Sequence, residues 1–544
     1  MTKLNNHMDI YEENKMNKFE EVYEQRNKKQ NKIEKIKDLK VPMSVYEKLD
    51  DICLNGLENL SSEDSGYFLK CFGLFLKKDD TFMLRVRIPA GQLTPTQTIK
   101  VGEVATKYGN DYIDITTRQQ LEFRYLKLED LATVLKELDS VGISTFQTGV
   151  DNFRNIVTSS FDGLGDKHIV ECKPLIDQMQ SIFFKSEDWI GQLPRKFNTA
   201  ILGTTVNDCN IYGHDCCFVV ANKDEIKGFN LYLGGKVGVQ ASDTGLFIKQ
   251  DEVITTFKAI INIFKQYGFR DNRNKNRLHF LLEAVGMNEF IKAIKLFTGL
   301  EYQNSGEILA KDEYILDNSG VFTLDDTLKA VHISVPSGIF KGTHLSSAGK
   351  IAKNVDGTIR LSVEQSLYIV TQKQNINKVQ SSELFKEYKS YNNIYFNHQV
   401  ACAGTATCVF GVIPNKPDAI ELANFLSAEV PIKNGKVRFY WSGCVKGCGI
   451  HGIADIGFEG CKAKDEDGNS CYGVHIFLGG KSTKEAKEAR VIYKSIPLKN
   501  INEKMKKLME IYKNERNENE SFEGFDDRVL SLLTIEEIVQ KIEA

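Results

Sequence analysis

Two pairs of cysteines set the chemical question. Cys402 and Cys408 have five residues between them in "ACAGTATCVF", and Cys444 and Cys448 have three in "SGCVKGCG". Four thiolates gathered in one place bind a metal ion or a cluster, because thiolate is the soft ligand of zinc and of iron–sulfur centres. Zinc pairs usually enclose about two to four residues, most often two. The wider spacing, with Gly443, Gly447 and Gly449 crowding the second pair, suits the bulkier [4Fe–4S] cluster. Its sulfurs accept hydrogen bonds from backbone N–H groups, which glycine lets come close. Structural zinc and four unrelated buried cysteines are the alternatives.

The other cysteines lack ligand-like company. Cys461 and Cys471 flank the acidic turn "KAKDEDGNS", whose Asp-Gly is a hairpin signal, and read as thiols beside a loop. Cys216 and Cys217 are adjacent, so in a strand their side chains point apart. His451 reads as a packing residue behind the cysteines. A second group of residues is cationic: Arg85, Arg118, Arg154 in "DNFRNIV", and Arg195 and Lys196 in "LPRKFNT", which also holds Asn198. A metal centre facing such a lining implies an anionic ligand held against the metal.

These residues are positioned by a repeat. "VRIPAGQLT" around Pro89 recurs as "ISVPSGIFK" around Pro336, "IDITTRQQLEF" as "IRLSVEQSLYI", and "GFNLYLGGK" as "GVHIFLGGK". The matches come in order at nearly constant separation, so the chain reads as two copies of one unit fused head to tail. The first copy carries the cations and the second the cysteines. Within each copy, strand-like runs such as "FMLRVRIP" and "YIDITT" alternate with helix-like runs such as "LEDLATVLKELDSVG", which stops at a glycine. The expectation is an α+β protein with an internal pseudo-twofold axis and its function at the interface between the halves.

Composition bounds the partners. The 544 residues are 42% hydrophobic and 26% charged with net charge −3, which argues against a nucleic-acid binder. No apolar stretch approaches a membrane span, and no secretory signal pattern opens the chain. Twelve cysteines in such a context favour reduced thiols and a cytoplasmic setting. The first 40 residues hold 18 charged side chains and neither Gly nor Pro. "NKFEEVYEQRNKKQNKIEKIKDLK" reads as a solvated helix with Glu24 and Lys28 as an i,i+4 pair, either frayed or docked on the body.

The four cysteines, "TTRQ", "DNFRN", "LPRKFN", "GFNLYLGG", "ADIGFEGC" and the late "ESFEGFDDR" together resemble the siroheme-containing nitrite and sulfite reductases, in order from about residue 65 to the C-terminus. The resemblance implies a ferredoxin-like "parachute" domain built from 65–140 with 325–395. It also implies a first siroheme and substrate domain at 141–324 and a [4Fe–4S]/siroheme domain at 396–544, after a charged helical extension at 1–45. Cys402, Cys408, Cys444 and Cys448 would bind the cluster, and Cys448 would also be the axial ligand of siroheme iron. The reaction would be six-electron reduction of nitrite to ammonia, or of sulfite to sulfide, with electrons from a separate low-potential donor such as ferredoxin.

Siroheme is a polycarboxylate, so its pocket must offer cations. Arg118, Arg124, Arg195 and Arg277 are the candidates, with Lys446 in "VKG" where the family has an uncharged polar run. Arg85, Arg154, Lys196 and Asn198 would surround the open iron face, with Lys196 a general acid. The family's sulfite reductases usually have a second lysine at the position of Asn198, and its ferredoxin-dependent nitrite reductases an asparagine. Motif by motif the chain is closest to the latter. Leu121 and Tyr125 depart from the usual pattern. Sulfite reduction, and a non-catalytic iron–sulfur or zinc scaffold, are the competing readings.

Overall fold

The repeat is built as two interlocked units. In a computed structural model, which describes residues 17–236, 238–389, 393–483 and 486–544, one five-stranded antiparallel sheet runs Leu74–Leu76, Phe82–Val86, Leu121–Leu126, Tyr112–Ile115, Ile339–Lys341. Its counterpart runs Val321–Thr323, Leu328–Ile333, Leu367–Gln372, Thr358–Leu361, Gln92–Leu93. Each copy therefore lends a short strand to the other's sheet, and the two cannot separate without breaking both ladders. The sequence motif that makes the exchange possible is the Pro-x-Gly turn. Pro89–Gly91 and Pro336–Gly338 form matching tight turns, with Ala90 and Ser337 at positive φ. A Cβ on Gly91 would meet Gln119, and one on Gly338 would meet the Ile115 carbonyl at 2.6 Å, so both positions require glycine.

The axis is marked by two glutamines. Nε2 of Gln119 donates to the carbonyl of Leu361 at 3.0 Å, and Nε2 of Gln365 donates to that of Ile115 at 2.9 Å. Each side chain closes the end of the other copy's strand. Helices Pro95–Tyr108 and Gly342–Asn354 cross beside this seam, where Gly102 lets the backbones approach.

Each copy also has a mixed sheet of the same plan. In the first, Phe153–Val157, Phe197–Leu202 and Cys216–Lys223 run parallel, then Ile226–Leu233 and Ser242–Lys249 continue antiparallel. In the second, Gln399–Ala401, Phe439–Ser442 and Ile456–Lys464 run parallel, followed by Ser470–Leu478 and Arg490–Pro497. The strands buried on both faces are the near-continuous apolar runs, as parallel strands require. Residues after the C-terminal ends of parallel strands are the usual places for ligands in such sheets.

The N-terminal segment departs from the single solvated helix expected for it. Among the described residues it forms Asn17–Asn27 and Lys32–Lys37, broken at Lys28–Asn31, where Asn31 caps the second helix. Lys28 falls beyond the first helix, so the i,i+4 pairing with Glu24 has no helical turn to support it. Phe19, 3% exposed, packs against Tyr267 and Phe290, with Val22 and Tyr23 completing the stripe. Residues 1–16 of the expected extension lie outside the described residues. No helix among the described residues is long and apolar enough to cross a membrane.

Candidate functional site

Both cysteine pairs follow parallel strands. Cys402 comes directly after Gln399–Ala401, Cys408 after the helical turn Gly404–Thr407, and Cys444 and Cys448 after Phe439–Ser442. The neighbouring strands thus deliver both loops to one end of the sheet. The loops are tied together: Cys402 N–H donates to the Trp441 carbonyl, Gly443 N–H to Cys402 Sγ at 3.1 Å, and Val412 N–H to the Gly443 carbonyl. Asn415 Nδ2 reaches the Cys402 carbonyl at 2.7 Å and its sulfur at 3.5 Å. Behind Cys448, the Ser442 hydroxyl accepts from Gly449 N–H and meets His451, which also contacts Glu459.

The four thiols feel one another. Burial pushes the Cys402 thiol up to about 12, with the charges of Cys448 and Cys408 adding to the effect and the Gly443 N–H opposing it. Burial also raises Cys444, again with Cys448 and Cys408 beside it. Among the described residues no three His, Cys, Asp or Glu side chains converge closely enough for a single metal ion. A cuboidal cluster takes one thiolate per iron, so its ligands need not meet at a point. The thiols, half-buried or exposed, and the N–H groups aimed at Cys402 sulfur therefore fit a cluster better than one zinc ion.

The first copy supplies the opposite wall. Arg154 lies in Phe153–Val157, Lys196 immediately precedes the next strand and Asn198 lies within it, and Arg118 sits in the turn after Tyr112–Ile115. Burial lowers Lys196 well below the lysine range, and Arg118, Arg277 and Arg154 press in the same direction while Cys448 opposes them. Arg118 is likewise lowered by burial, with Cys448 opposing and Arg85 and Arg277 adding. Arg154 is lowered by burial and then by Arg85, Arg118 and Arg195. Among the described residues no carboxylate forms an ion pair with Arg118, Arg154 or Lys196. Such crowded cations call for an anionic ligand, and Cys448 lies within electrostatic range of Arg118 and Lys196, which turns that ligand toward the cysteine loop. Asn198, 3% exposed, has its Oδ1 unpartnered, a second sign of a polar group missing from this recess. The charge of the recess suits an anionic ligand.

Four expected cofactor contacts need comment. Arg124 differs from expectation: it is 4% exposed and binds Asp114 and Glu122, each at 2.6 Å. Strand register sets those two carboxylates directly opposite each other, so its charge is spent inside the protein. Arg277 donates from Nε and Nη2 to Asp215 at 2.8 and 2.6 Å, yet stays within electrostatic reach of Arg118 and Lys196. Lys446 is exposed, its ammonium 4.1 Å from the centre of the Phe410 ring. Arg195 is half-buried, with Nη1 3.7 Å from Asp151.

The supporting carboxylates escaped sequence reading. Asp215 accepts from the Asn198 N–H at 2.8 Å while binding Arg277. Asp151, fully buried, takes Arg273 by both oxygens and Lys37 at 3.1 Å. Asp151 opens the "DNFRN" motif, a visible signal; nothing local marks Asp215. A cavity of about 360 Å³ borders Cys408 between Lys77, Arg124 and Thr405; it lies outside the recess of Arg118 and Lys196.

Comparison with known proteins agrees with this construction. Residues 149–299 and 397–530 match the nitrite and sulphite reductase 4Fe-4S domain, and 75–141 the nitrite/sulfite reductase ferredoxin-like half domain. The chloroplastic ferredoxin–nitrite reductase of Spinacia oleracea is 30% identical over 500 residues, covering 87% of this chain and 83% of its own. The ferredoxin–nitrite reductase of Synechococcus elongatus is 32% identical over 467 residues, covering 83% and 91%. The solved structure of the Mycobacterium tuberculosis NirA protein superposes with a TM-score of 0.83 at 22% identity, over 92% of this chain and 97% of that one, and so shares the fold. With the duplicated α+β architecture, the domain matches and the four-cysteine loops in one frame, the chain belongs to the nitrite and sulfite reductase family of oxidoreductases.

Proposed function

We propose that the protein reduces nitrite to ammonia by six electrons, using siroheme and a [4Fe–4S] cluster, with electrons arriving singly from a ferredoxin-type donor. What carries this reading is that Cys448, from the second copy, lies within electrostatic range of Arg118 and Lys196, from the first. Cys402, Cys408, Cys444 and Cys448 would hold the cluster, Cys448 would also ligate siroheme iron, and Arg118, Arg195 and Arg277 would face the tetrapyrrole carboxylates. When bound, the two groups supply an iron for the oxyanion and a path for single electrons.

The chain's own residues do the rest. Arg85 and Arg154 orient the substrate oxygens through the fixed donors of their guanidinium groups. Lys196 is held far below its ordinary range; an arriving anion raises its proton affinity, and the proton is then poised for transfer as an N–O bond breaks. Asn198 offers an uncharged amide where another cation would favour a dianion, which supports nitrite over sulfite. The names of the relatives lean the same way.

The test is a purified holoenzyme with iron, labile sulfide and visible spectrum measured. Siroheme bands are expected, with kcat/KM for ammonium from nitrite above that for sulfide from sulfite. The reverse ratio assigns the protein to sulfite reduction, and a protein without siroheme bands ends the reading. Asn198→Lys is expected to move the ratio toward sulfite by about tenfold.

A further inference from the structure

Arg85 does not stand alone on the substrate wall. Strand pairing places it directly opposite Glu122, and Glu122 directly opposite Asp114 on the next strand. Oε1 of Glu122 accepts from Arg85 Nε at 2.7 Å and lies 2.6 Å from its Nη2. The Thr148 carbonyl takes Nη1 at 3.0 Å. Arginine has five N–H donors, so among the described residues two remain for an anion.

The other oxygen of Glu122 binds Arg124 Nη2 at 2.6 Å, and Arg124 reaches on to Asp114. Asp114 in turn accepts from Lys416 Nζ at 2.6 Å. Lys416 opens the helix Lys416–Glu429, and Asn415 before it holds the Cys402 loop. A chain of alternating charge, Lys416, Asp114, Arg124, Glu122, Arg85, therefore runs from the cysteine loop to the substrate wall. Its sum is a single positive charge. Glu122 is 7% exposed and Arg124 4%, so salt screens the chain little.

We propose that Glu122 is a specificity-determining residue, which fixes the Arg85 guanidinium and offsets its charge so that the site favours a monoanionic over a dianionic oxyanion. The inference rests on the assignment of Arg85 to the substrate wall made above. Coulomb energy scales with the product of the charges, so one carboxylate near the site penalises a dianion about twice as much as a monoanion. A role confined to holding Arg85 in place would, once lost, weaken the dianion at least as much as the monoanion and so could not move the ratio toward sulfite.

The experiment compares nitrite and sulfite binding to the holoenzyme by visible-spectrum titration, beside kcat/KM for each, in buffer alkaline enough to keep sulfite dianionic. Glu122→Gln is expected to shift both the Kd ratio and the kcat/KM ratio toward sulfite by about tenfold. Glu122→Ala should follow it, and carries the neutral test where the glutamine variant does not fold. Glu122→Asp keeps the charge and should hold the ratio within about twofold. A ratio unchanged or moved toward nitrite in either neutral variant, or a shifted ratio in the aspartate variant, overturns the proposal. A parent protein without siroheme bands ends the functional reading instead, and is scored before any variant.

Discussion

In the proposed reaction Lys196 concentrates the chemistry at the residue scale, since among the cations assigned there it differs from the arginines in being able to release a proton. Lys196→Met should lower kcat about a hundredfold and raise KM for nitrite. Lys196→Arg keeps a positive charge, so KM should stay near the parent value while kcat falls almost as far. The sign of the pH dependence follows from the lowered lysine: parent kcat/KM, which reports the free enzyme, declines as pH rises through that lowered pKa. The arginine variant, permanently charged, should lose this alkaline limb, and pH–rate profiles check it. An arginine variant with parental kcat defeats the proton-donor role. The cysteines and Lys196 were legible because residue type and spacing alone name their chemistry. Glu122, Asp151 and Asp215 were not, because a carboxylate's partner is decided by strand register and by contacts far along the chain. Arg124 shows the converse: its type suited a polyanionic cofactor, and only the pairing of Tyr112–Ile115 with Leu121–Leu126 reveals that its charge is already matched.

At the scale of elements, the N-terminal helices act as a brace. Lys37, buried, donates to Glu34 and to the Leu193 carbonyl, both at 2.7 Å, and sits 3.1 Å from Asp151. One ammonium thus joins the "DNFRN" strand entry to the "LPRKFN" strand entry. Arg270 binds Glu34 at 2.6 Å, and Arg26 binds Asp271 at 2.8 Å, closing the same face. Charge density dominates this stretch and hides the apolar Phe19, Val22 and Tyr23 stripe within it, so the sequence leaves docking as one of two readings. Lys37→Met should cost about 3 kcal/mol, since it strips a cation from buried carboxylates, and a lower urea midpoint would register it. Burial alone would raise Asp151, but Lys37, Arg273 and Arg195 hold it near about 2. Its folded pKa lies below the unfolded value, so the stabilisation is complete above about pH 4 and disappears as pH falls toward the folded pKa. In Lys37→Met the folded pKa rises toward the unfolded one, so that acid loss should be smaller and end at higher pH; Tm followed against pH would show it, and coincident acid limbs would refute the brace.

The whole molecule depends on the seam between the copies. The duplication was legible because the repeated Pro-x-Gly and Gly-Gly motifs kept their order; the strand exchange was not, since which sheet a two- or three-residue strand joins is a tertiary choice. Gln119 and Gln365 occupy left-handed turns, φ 53° and 60°, and each spends a buried amide on the other copy's carbonyl. Gln119 also bonds the Thr158 carbonyl, and Gln365 accepts from Ala401 N–H at 2.6 Å, so the seam continues into the strands that carry the cations and the cysteines. Replacing either by Met leaves buried backbone groups unpaired and should cost about 2–3 kcal/mol. If the two turns form one cooperative seam, the first substitution loosens what the second would break. The double variant should then lose at least about 1 kcal/mol less than the sum of the singles. Urea unfolding of the parent, both singles and the double measures this coupling. Strict additivity would mean that the copies are joined at independent points, and that the geometry between Cys448 and Lys196 is set by each copy on its own.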